Sequence, residues 1–233
     1  MDLSILNDRQ REAVETTEGP LLVLAGAGSG KTRVLTHRIA YLIQEKGVAP
    51  WHILALTFTN KAAGEMRERV GSLLGSGVND MWVMTFHACC ARILRSEIEA
   101  LGYERTFVIY DDADQQSLLK KIIRDLNLNE KVFTPRELSS RISEAKNQSL
   151  DALNYLREGY APKEVVAAFQ AYQKQLKQCN ALDFDDLLLM VMQLFERFPD
   201  VLEKYRSKFR YILVDEYQDT NLVQYHIVKK LAS

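Results

Sequence analysis

Cysteine is scarce in this chain of 233 residues, and its pattern excludes two structural roles. Three cysteines occur, and an odd number without a C-x-x-C pair builds neither a disulfide framework nor a zinc site. The four histidines show no H-E-x-x-H spacing, so the sequence does not predict a zinc-binding protease helix. Cys89, Cys90 and Cys179 are therefore interpreted as buried small residues of a cytosolic protein.

Long apolar runs and an excess of positive charge are also missing. No run approaches the roughly 20 residues that a membrane-spanning helix needs. The first residues lack the basic and then apolar pattern of a secretory signal, so we expect a cytoplasmic protein without a membrane partner. The formal net charge is −1, so a nucleic-acid site would have to be a local groove rather than a basic surface.

Short apolar runs alternate with helical patterns in the first part of the chain. The runs at residues 21–24, 53–58 and 82–85 are typical of buried strands. Each run is followed by a segment with apolar side chains at helical spacing. This alternation predicts an α/β domain with a parallel sheet.

The alternation stops at about residue 111, and a long stretch of helical pattern follows it. The buried-strand pattern returns only at residues 211–214. The simplest interpretation is an α/β domain formed by residues 1–110 and 181–233, into which a helical subdomain of residues 111–180 is inserted. No internal repeat or low-complexity tract is present.

The strongest motif follows the first apolar run and reads A-G-A-G-S-G-K-T. Its glycines let successive backbone N–H groups point at phosphate oxygens, and the next helix adds its positive N-terminal end. Lys31 supplies a positive charge to the β- and γ-phosphates, and the Thr32 hydroxyl is a ligand for Mg²⁺. The strict pattern begins with glycine, where this chain has a small alanine. The predicted nucleotide-binding residues are Ala25, Gly26, Ala27, Gly28, Ser29, Gly30, Lys31 and Thr32.

A second motif, I-L-V-D-E, ends the apolar run at residues 211–214. A strand that ends in a carboxylate is what the Mg²⁺ of a P-loop site requires, so Asp215 is predicted to hold the metal. Glu216 is placed to take a proton from the attacking water. The two motifs together predict that the chain binds ATP with Mg²⁺, and the adjacent glutamate favours hydrolysis over transfer to an acceptor.

These residues resemble the UvrD/Rep/PcrA-type helicases of superfamily 1 over essentially the whole chain. The other markers occur in the family's order: L-N-D-R-Q at 6–10, T-F-T-N-K-A-A at 57–63, T-F-H at 85–87, L-D-F-D-D-L at 182–187 and D-E-Y-Q-D-T-N at 215–221. The resemblance implies a RecA-like P-loop domain with an inserted all-helical subdomain. It also implies an ATP-dependent DNA helicase or translocase with 3′ to 5′ polarity, acting in DNA repair or replication.

The resemblance assigns roles to further residues. Gln10 would contact the adenine, Arg33 would lie beside the nucleotide, and Gln218 would sense the γ-phosphate. The residues implied to contact single-stranded DNA are Phe58, Thr59, Asn60, Thr85, Phe86, His87 and Lys146. The residue pattern alone leaves Phe58 open between a core position and a base-stacking surface, and it favours the core for Phe86.

Helicases of this family continue into a second RecA-like domain, whose arginines complete the catalytic site. We therefore expect this chain to be an N-terminal part of such a protein. Alone, it is expected to hydrolyse ATP very slowly and not to unwind DNA. Three alternatives stay open: the ATPase part of a helicase–nuclease, a P-loop kinase, and a nucleotide-gated binding module.

Overall fold

The structure is a computed structural model, and it describes residues 1–26, 28–75, 80–159 and 161–233. The five strands of these ranges are β1 (Ile53–Thr57), β2 (Trp82–Thr85), β3 (Val108–Ile109), β4 (Ala181–Leu182) and β5 (Tyr211–Val214). The helices are α1 (Asp8–Glu15), α2 (Lys31–Gln44), α3 (Asn60–Leu74), α4 (Phe86–Glu97), α5 (Asp112–Asp125), α6 (Pro135–Asn147), α7 (Ala152–Arg157), α8 (Lys163–Gln178), α9 (Phe184–Arg197), α10 (Pro199–Lys208) and α11 (Leu222–Ala232). No helix within these ranges combines the length and the apolar character that crossing a membrane requires.

The chain divides into two compact units. The first contains Met1–Cys89, Glu203–Asp219 and Ala232, and the second contains Cys90–Leu202, Thr220–Leu231 and Ser233. The second unit includes all of residues 111–180, which we predict to form an inserted subdomain. The boundaries of that subdomain stay a prediction.

A parallel sheet with the order β2-β1-β5 forms the centre of the first unit, which confirms the predicted α/β class. Every residue of β1 is buried, as expected for a strand with a neighbour on each side. The apolar side chains of α2 and α3 pack with those of the sheet in one cluster. This cluster includes Ile39, Leu42, Ile53, Ala55, Met66, Val70, Val83 and Leu213.

The strand predicted at residues 21–24 is wrong. This segment has no regular secondary structure, and its apolar side chains are exposed, with Leu24 at 87%. A strand needs a neighbour for its N–H and C=O groups, and none of the described strands pairs with these residues. An apolar run indicates that its side chains favour burial in a strand. It does not indicate whether a neighbouring strand is available to pair with it.

Helix α1 is fixed against α2 by an apolar contact and by one guanidinium group. Val14 of α1 and Val34 of α2 belong to one buried apolar cluster, together with Leu6 just before α1. The Arg38 side chain donates a hydrogen bond of 2.6 Å to the Ala13 carbonyl in the last turn of α1, where carbonyl groups lack partners within the helix. This packing places the first turn of α1 beside the loop that precedes α2.

The second unit is mainly helical, as the sequence predicts. Its core is an apolar cluster to which α5, α6 and α8 contribute, including Leu119, Ile142, Phe169 and Tyr172. The short strands β3 and β4 pair in parallel, with Val108 opposite Ala181. Helix α9 begins with a buried capping box, in which Asp183 and Asp186 each accept a hydrogen bond from the other's backbone N–H.

Candidate functional site

The glycine-rich loop ends in a helix whose first turn is open to a ligand. Gly28 and Gly30 have φ values of 74° and 89°, in the left-handed region that favours glycine. Helix α2 then begins at Lys31, and no described side chain caps its N-terminus. The first N–H groups of a helix carry a partial positive charge and bind anions. The predicted nucleotide residue Ala27 lies outside the described residues.

Gln10 is held against this loop by both ends of its amide group. Its Nε2 donates to the Ser29 carbonyl at 2.8 Å, and its Oε1 accepts from the Asn7 N–H at 3.1 Å. A Cβ atom on Gly30 would lie 2.8 Å from Gln10 Nε2, so a larger residue there would displace the end of the Gln10 side chain and would also be strained by the backbone angle. An adenine contact by Gln10 stays a prediction, and both amide atoms could make it without losing these partners, because the nitrogen has a second N–H and the oxygen a second lone pair.

The end of β5 brings two carboxylates beside the same loop. The Asp215 N–H donates to the Leu56 carbonyl at 2.9 Å and so extends the pairing of β5 with β1. Glu216 then turns the chain with a φ of 49°, and its Oε1 lies 3.4 Å from Lys31 Nζ. Gln218 Nε2 donates to Glu216 Oε2 at 2.6 Å. The structure therefore places Lys31, Glu216 and Gln218 in one contact network.

The surroundings of Asp215 disfavour the ionised form of its carboxyl group. Burial raises its pKa, and the charge of the neighbouring Glu216 raises it further, while the hydrogen bond from the Glu216 N–H and the charge of Lys31 only partly oppose this shift. The pKa of Glu216 is lowered instead, first by the hydrogen bond from Gln218. A cation beside Asp215 would relieve the repulsion between the two carboxylates.

The donor atoms available beside the loop are suited to Mg²⁺. Thr32 is the second residue of α2, and Asp215 follows β5, so each offers an oxygen ligand. Within the described ranges, no group of three or more His, Cys, Asp and Glu side chains could hold a metal ion by itself. Mg²⁺ in nucleotide sites takes one or two protein oxygens and completes its shell with phosphate and water, so two donors are sufficient.

Arg33 is exposed, and it lines a groove between α2 and α3 of about 550 Å³. The groove also contains His37, Glu65 and Arg69. His37 is buried, and its Nδ1 donates to the Arg33 carbonyl at 2.8 Å. The predicted nucleotide contact of Arg33 stays a prediction.

The residues after β1 include both exposed and buried members. Thr59 and Asn60 are exposed, and the Thr59 hydroxyl caps α3 by accepting from the Ala62 N–H. Phe58 is half-buried, and its ring centroid lies 5.7 Å from that of Phe86. Phe86 is only 2% exposed. The predicted DNA contact of Phe86 is therefore wrong for this structure, because a core ring offers no face to a base.

The other residues of this segment that were predicted to contact DNA are Thr85, the last residue of β2, and His87, the second residue of α4. Thr85 is 9% exposed, and its hydroxyl accepts a hydrogen bond from the Ala88 N–H at 3.2 Å. His87 is half-buried. Thr85 thus has a local structural role, and DNA contacts by either residue stay predictions.

Lys146, predicted to contact DNA, is buried in the second unit with 1% exposure. Its Nζ lies 2.5 Å from Asp183 Oδ2 and 2.8 Å from Asp186 Oδ1. Tyr172 donates to the same oxygen of Asp183 at 3.0 Å, and Gln173 donates to Asp186 at 2.9 Å. The DNA prediction for Lys146 is wrong for this structure, because its charge is already paired inside the protein.

The sequence pattern did not reveal this buried network, although one signal was present. Asp183 and Asp186 stand at the cap and third positions of a predicted helix, the spacing of a capping box. The pattern did not show that a lysine 37 residues away along the chain would pair with both carboxylates.

Comparison with known proteins identifies the class of this chain. The family model for the UvrD/REP helicase N-terminal domain matches residues 6–233, and the chain belongs to this family. It is 56% identical over 232 residues to the ATP-dependent DNA helicase PcrA of Bacillus subtilis (strain 168), covering 99% of this chain and 31% of that protein.

Two further relatives are also named ATP-dependent DNA helicase PcrA. The chain is 52% identical over 233 residues to the protein of Staphylococcus aureus (strain Mu50 / ATCC 700699), covering 99% of this chain and 32% of the relative. It is 53% identical over 230 residues to the protein of Leuconostoc citreum, with 97% and 31% coverage. The chain therefore spans about a third of the length of the relatives that it matches.

Proposed function

We propose that this chain provides the ATP-binding and hydrolysing site of an ATP-dependent DNA helicase. The observation that supports this most directly is the 3.4 Å contact between Lys31 and Glu216. It brings the phosphate-binding end of α2 and the carboxylates after β5 to one place. A P-loop ATPase needs these two elements together.

In the proposed reaction, water attacks the γ-phosphorus, the bond to the bridging oxygen breaks, and ADP and phosphate are the products. The first N–H groups of α2 and the Lys31 ammonium bind the phosphate oxygens. Glu216 orients the water and accepts its proton, and Gln218 keeps that carboxylate in position through its 2.6 Å hydrogen bond. A bound Mg²⁺, held by Thr32 and Asp215, would neutralise charge that develops on the phosphates.

Single-stranded DNA is the proposed polymer partner. Thr59 and Asn60 are exposed, and Phe58 is half-buried after β1, so the three offer polar groups and part of an aromatic face. Thr85 and His87 are retained as weaker candidates. Because the net charge is −1, attraction to DNA would depend on such a local surface. Polarity from 3′ to 5′, a role in repair or replication and a cytoplasmic location are parts of this proposal.

We further propose that unwinding requires a second RecA-like domain. The chain spans about a third of the relatives' length, and the relatives are DNA helicases by name. A domain that supplies arginines to the transition state accelerates phosphoryl transfer by about 10³–10⁵. The chain by itself should therefore bind nucleotide, hydrolyse it slowly and leave duplex DNA intact.

Substitution of Lys31 tests the nucleotide site. We expect Lys31→Ala to weaken binding of a fluorescent ADP analogue, because a charge-assisted contact is lost. Such contacts contribute about 1.5–3 kcal/mol, which corresponds to about ten- to hundredfold in affinity. The matched control is Lys46→Ala, which removes an exposed lysine just beyond the far end of α2.

Two results would contradict different parts of the proposal. Equal affinity in Lys31→Ala and Lys46→Ala would reject the phosphate site. The helicase part is examined in the whole protein, by measuring ATP hydrolysis with and without single-stranded DNA. A rate that does not respond to DNA would reject the helicase and keep the nucleotide site.

A further inference from the structure

The ammonium of Lys31 already has an anionic partner within the protein. Its Nζ lies 3.4 Å from Glu216 Oε1, while the other carboxylate oxygen of Glu216 accepts from Gln218 at 2.6 Å. Glu216 is therefore held between a cation and an amide. The same ammonium is the group that we assign to binding the nucleotide phosphates. Two anions, the Glu216 carboxylate and a phosphate, would therefore bind the same cation.

The backbone at Glu216 directs its side chain into this position. Its φ of 49° lies in the left-handed region, which costs free energy for a residue with a Cβ atom. A hydrogen bond from the Asp219 N–H to the Glu216 carbonyl, 2.9 Å long, closes the turn. The Glu216 N–H also donates to the Asp215 carboxylate at 3.1 Å. The turn is thus fixed by local hydrogen bonds, and the carboxylate reaches Lys31 from a defined backbone.

The ion pair between Lys31 and Glu216 is weak enough for a phosphate to replace the carboxylate. The side chains of Lys31 and Glu216 are 33% and 40% exposed, and ion pairs in such positions are weak. A nucleotide that brings several negative charges and adds contacts to the first turn of α2 would displace a single carboxylate. Glu216 would then keep its hydrogen bond to Gln218 and lose its contact with the ammonium.

We propose that Glu216 and the nucleotide phosphates compete for the Lys31 ammonium, so that binding exchanges a carboxylate for a phosphate. This inference rests on the proposed nucleotide site. It gives Glu216 a second role, because its carboxylate becomes free to orient water only when a phosphate has taken its place on Lys31. Gln218 is the positioning residue that holds Glu216 through the exchange.

The decisive variant is Glu216→Asp, because it keeps the charge and shortens the side chain. Aspartate also tolerates the left-handed region better than most residues, so the turn should be retained. The dissociation constant of a fluorescent ADP analogue, measured with Mg²⁺ in the whole chain, reports the competition without hydrolysis. We expect Glu216→Asp and Glu216→Gln each to bind about two- to fivefold more tightly than the unmodified chain, because the ion pair lost is a weak one.

Asp219→Asn is the matched control for charge alone. Asp219 is an exposed carboxylate in the same turn, and Gln218 Nε2 lies 3.4 Å from its Oδ2. If competition requires contact with Lys31, Asp219→Asn should bind the ADP analogue as the unmodified chain does. Thermal unfolding of every variant checks that the turn and the unit remain folded.

The possible results separate the competition from simple repulsion. Tighter binding by Glu216→Gln alone, with Glu216→Asp unchanged, would show that charge repulsion acts without the contact and would overturn the proposal. An equal gain in Asp219→Asn would overturn it in the same way. Failure of the unmodified chain and all variants to bind the ADP analogue would instead reject the proposed nucleotide site.

Discussion

Lys146 has one positive charge for two buried carboxylates. Burial raises the pKa of Asp186 to about 7, and Asp183 adds to the rise while Lys146 opposes it. Burial alone would lower the pKa of Lys146, but Asp186 and Asp183 reverse this and raise it. The ammonium therefore stays charged, and it compensates an excess of negative charge at the start of α9.

We predict that Lys146→Met destabilises the chain by about 3–5 kcal/mol near neutral pH, the cost of leaving buried charges unpaired. The measurement is urea unfolding followed by circular dichroism. The control Lys131→Met alters an exposed lysine and should change the unfolding free energy by about 0.5 kcal/mol or less. Similar unfolding free energies for the two variants would mean that the buried contacts of Lys146 with Asp183 and Asp186 do not stabilise the fold.

The cost of Lys146→Met should also depend on pH. In the unmodified chain the folded pKa of Asp186, about 7, exceeds its ordinary value of 3.8. Protonation of Asp186 therefore stabilises the folded state. This stabilisation is fully present when the pH is below the ordinary pKa of 3.8, and it is lost as the pH rises through the folded pKa of about 7. Without the ammonium the Asp186 carboxyl binds its proton more tightly, so the cost should be smaller at about pH 5 than at about pH 8. A cost that is equal at both pH values would contradict this account.

At the scale of elements, α1, the glycine-rich loop and α2 depend on Gly30. We predict that Gly30→Ala lowers both stability and nucleotide affinity, because the new Cβ atom would displace Gln10 and strain the start of α2. The control is Gly75→Ala, since Gly75 also has a positive φ but a Cβ atom there would meet no described neighbour within 4 Å. It should cost about 1–2 kcal/mol from strain alone and leave ADP binding unchanged. Equal effects of the two variants on ADP affinity would refute the role of the Gln10 contact.

Helix positions could be predicted largely from the sequence because their signals are local. The spacing of apolar residues and the caps at Asn7, Thr59 and Asp183 lie within one or two turns of the helix that they start. The Gly-Lys-Thr loop and the Asp-Glu pair were also predicted from local patterns. Their meeting through Lys31 and Glu216 agrees with the expected parallel sheet, in which strand ends gather at one edge.

The remaining features depend on partners far away in the chain. A lysine in a helix, such as Lys146, is usually exposed. Only the fold shows that Lys146 pairs with Asp183 and Asp186. Phe86 follows a strand and could have faced DNA, but tertiary packing buries it. Residues 21–24 fit a strand by composition, yet the described sheet gives them no neighbour. Local preference therefore predicted the elements better than the surroundings of each side chain.

At the scale of the whole molecule, the segment at residues 21–24 is an unusual part of the surface. Leu22 and Leu24 are 66% and 87% exposed, and Leu21 and Val23 are also exposed. A contiguous apolar segment in water favours association, and its backbone groups without a strand partner can pair with another chain. The chain by itself should therefore associate as its concentration rises.

We predict that Leu22→Lys combined with Leu24→Lys reduces this association, because charged side chains resist both apolar contact and edge-to-edge pairing. The unfolding free energy should change by about 0.5 kcal/mol or less, since exposed side chains contribute little to folding. Sedimentation velocity over a range of concentrations measures the association, and Ile5→Lys, at a separate apolar position that is 58% exposed, is the control. If Ile5→Lys reduces association as much as the double variant, the effect comes from net charge. Only a selective effect of the double variant would show that this segment, which no described strand covers, drives the contact between molecules.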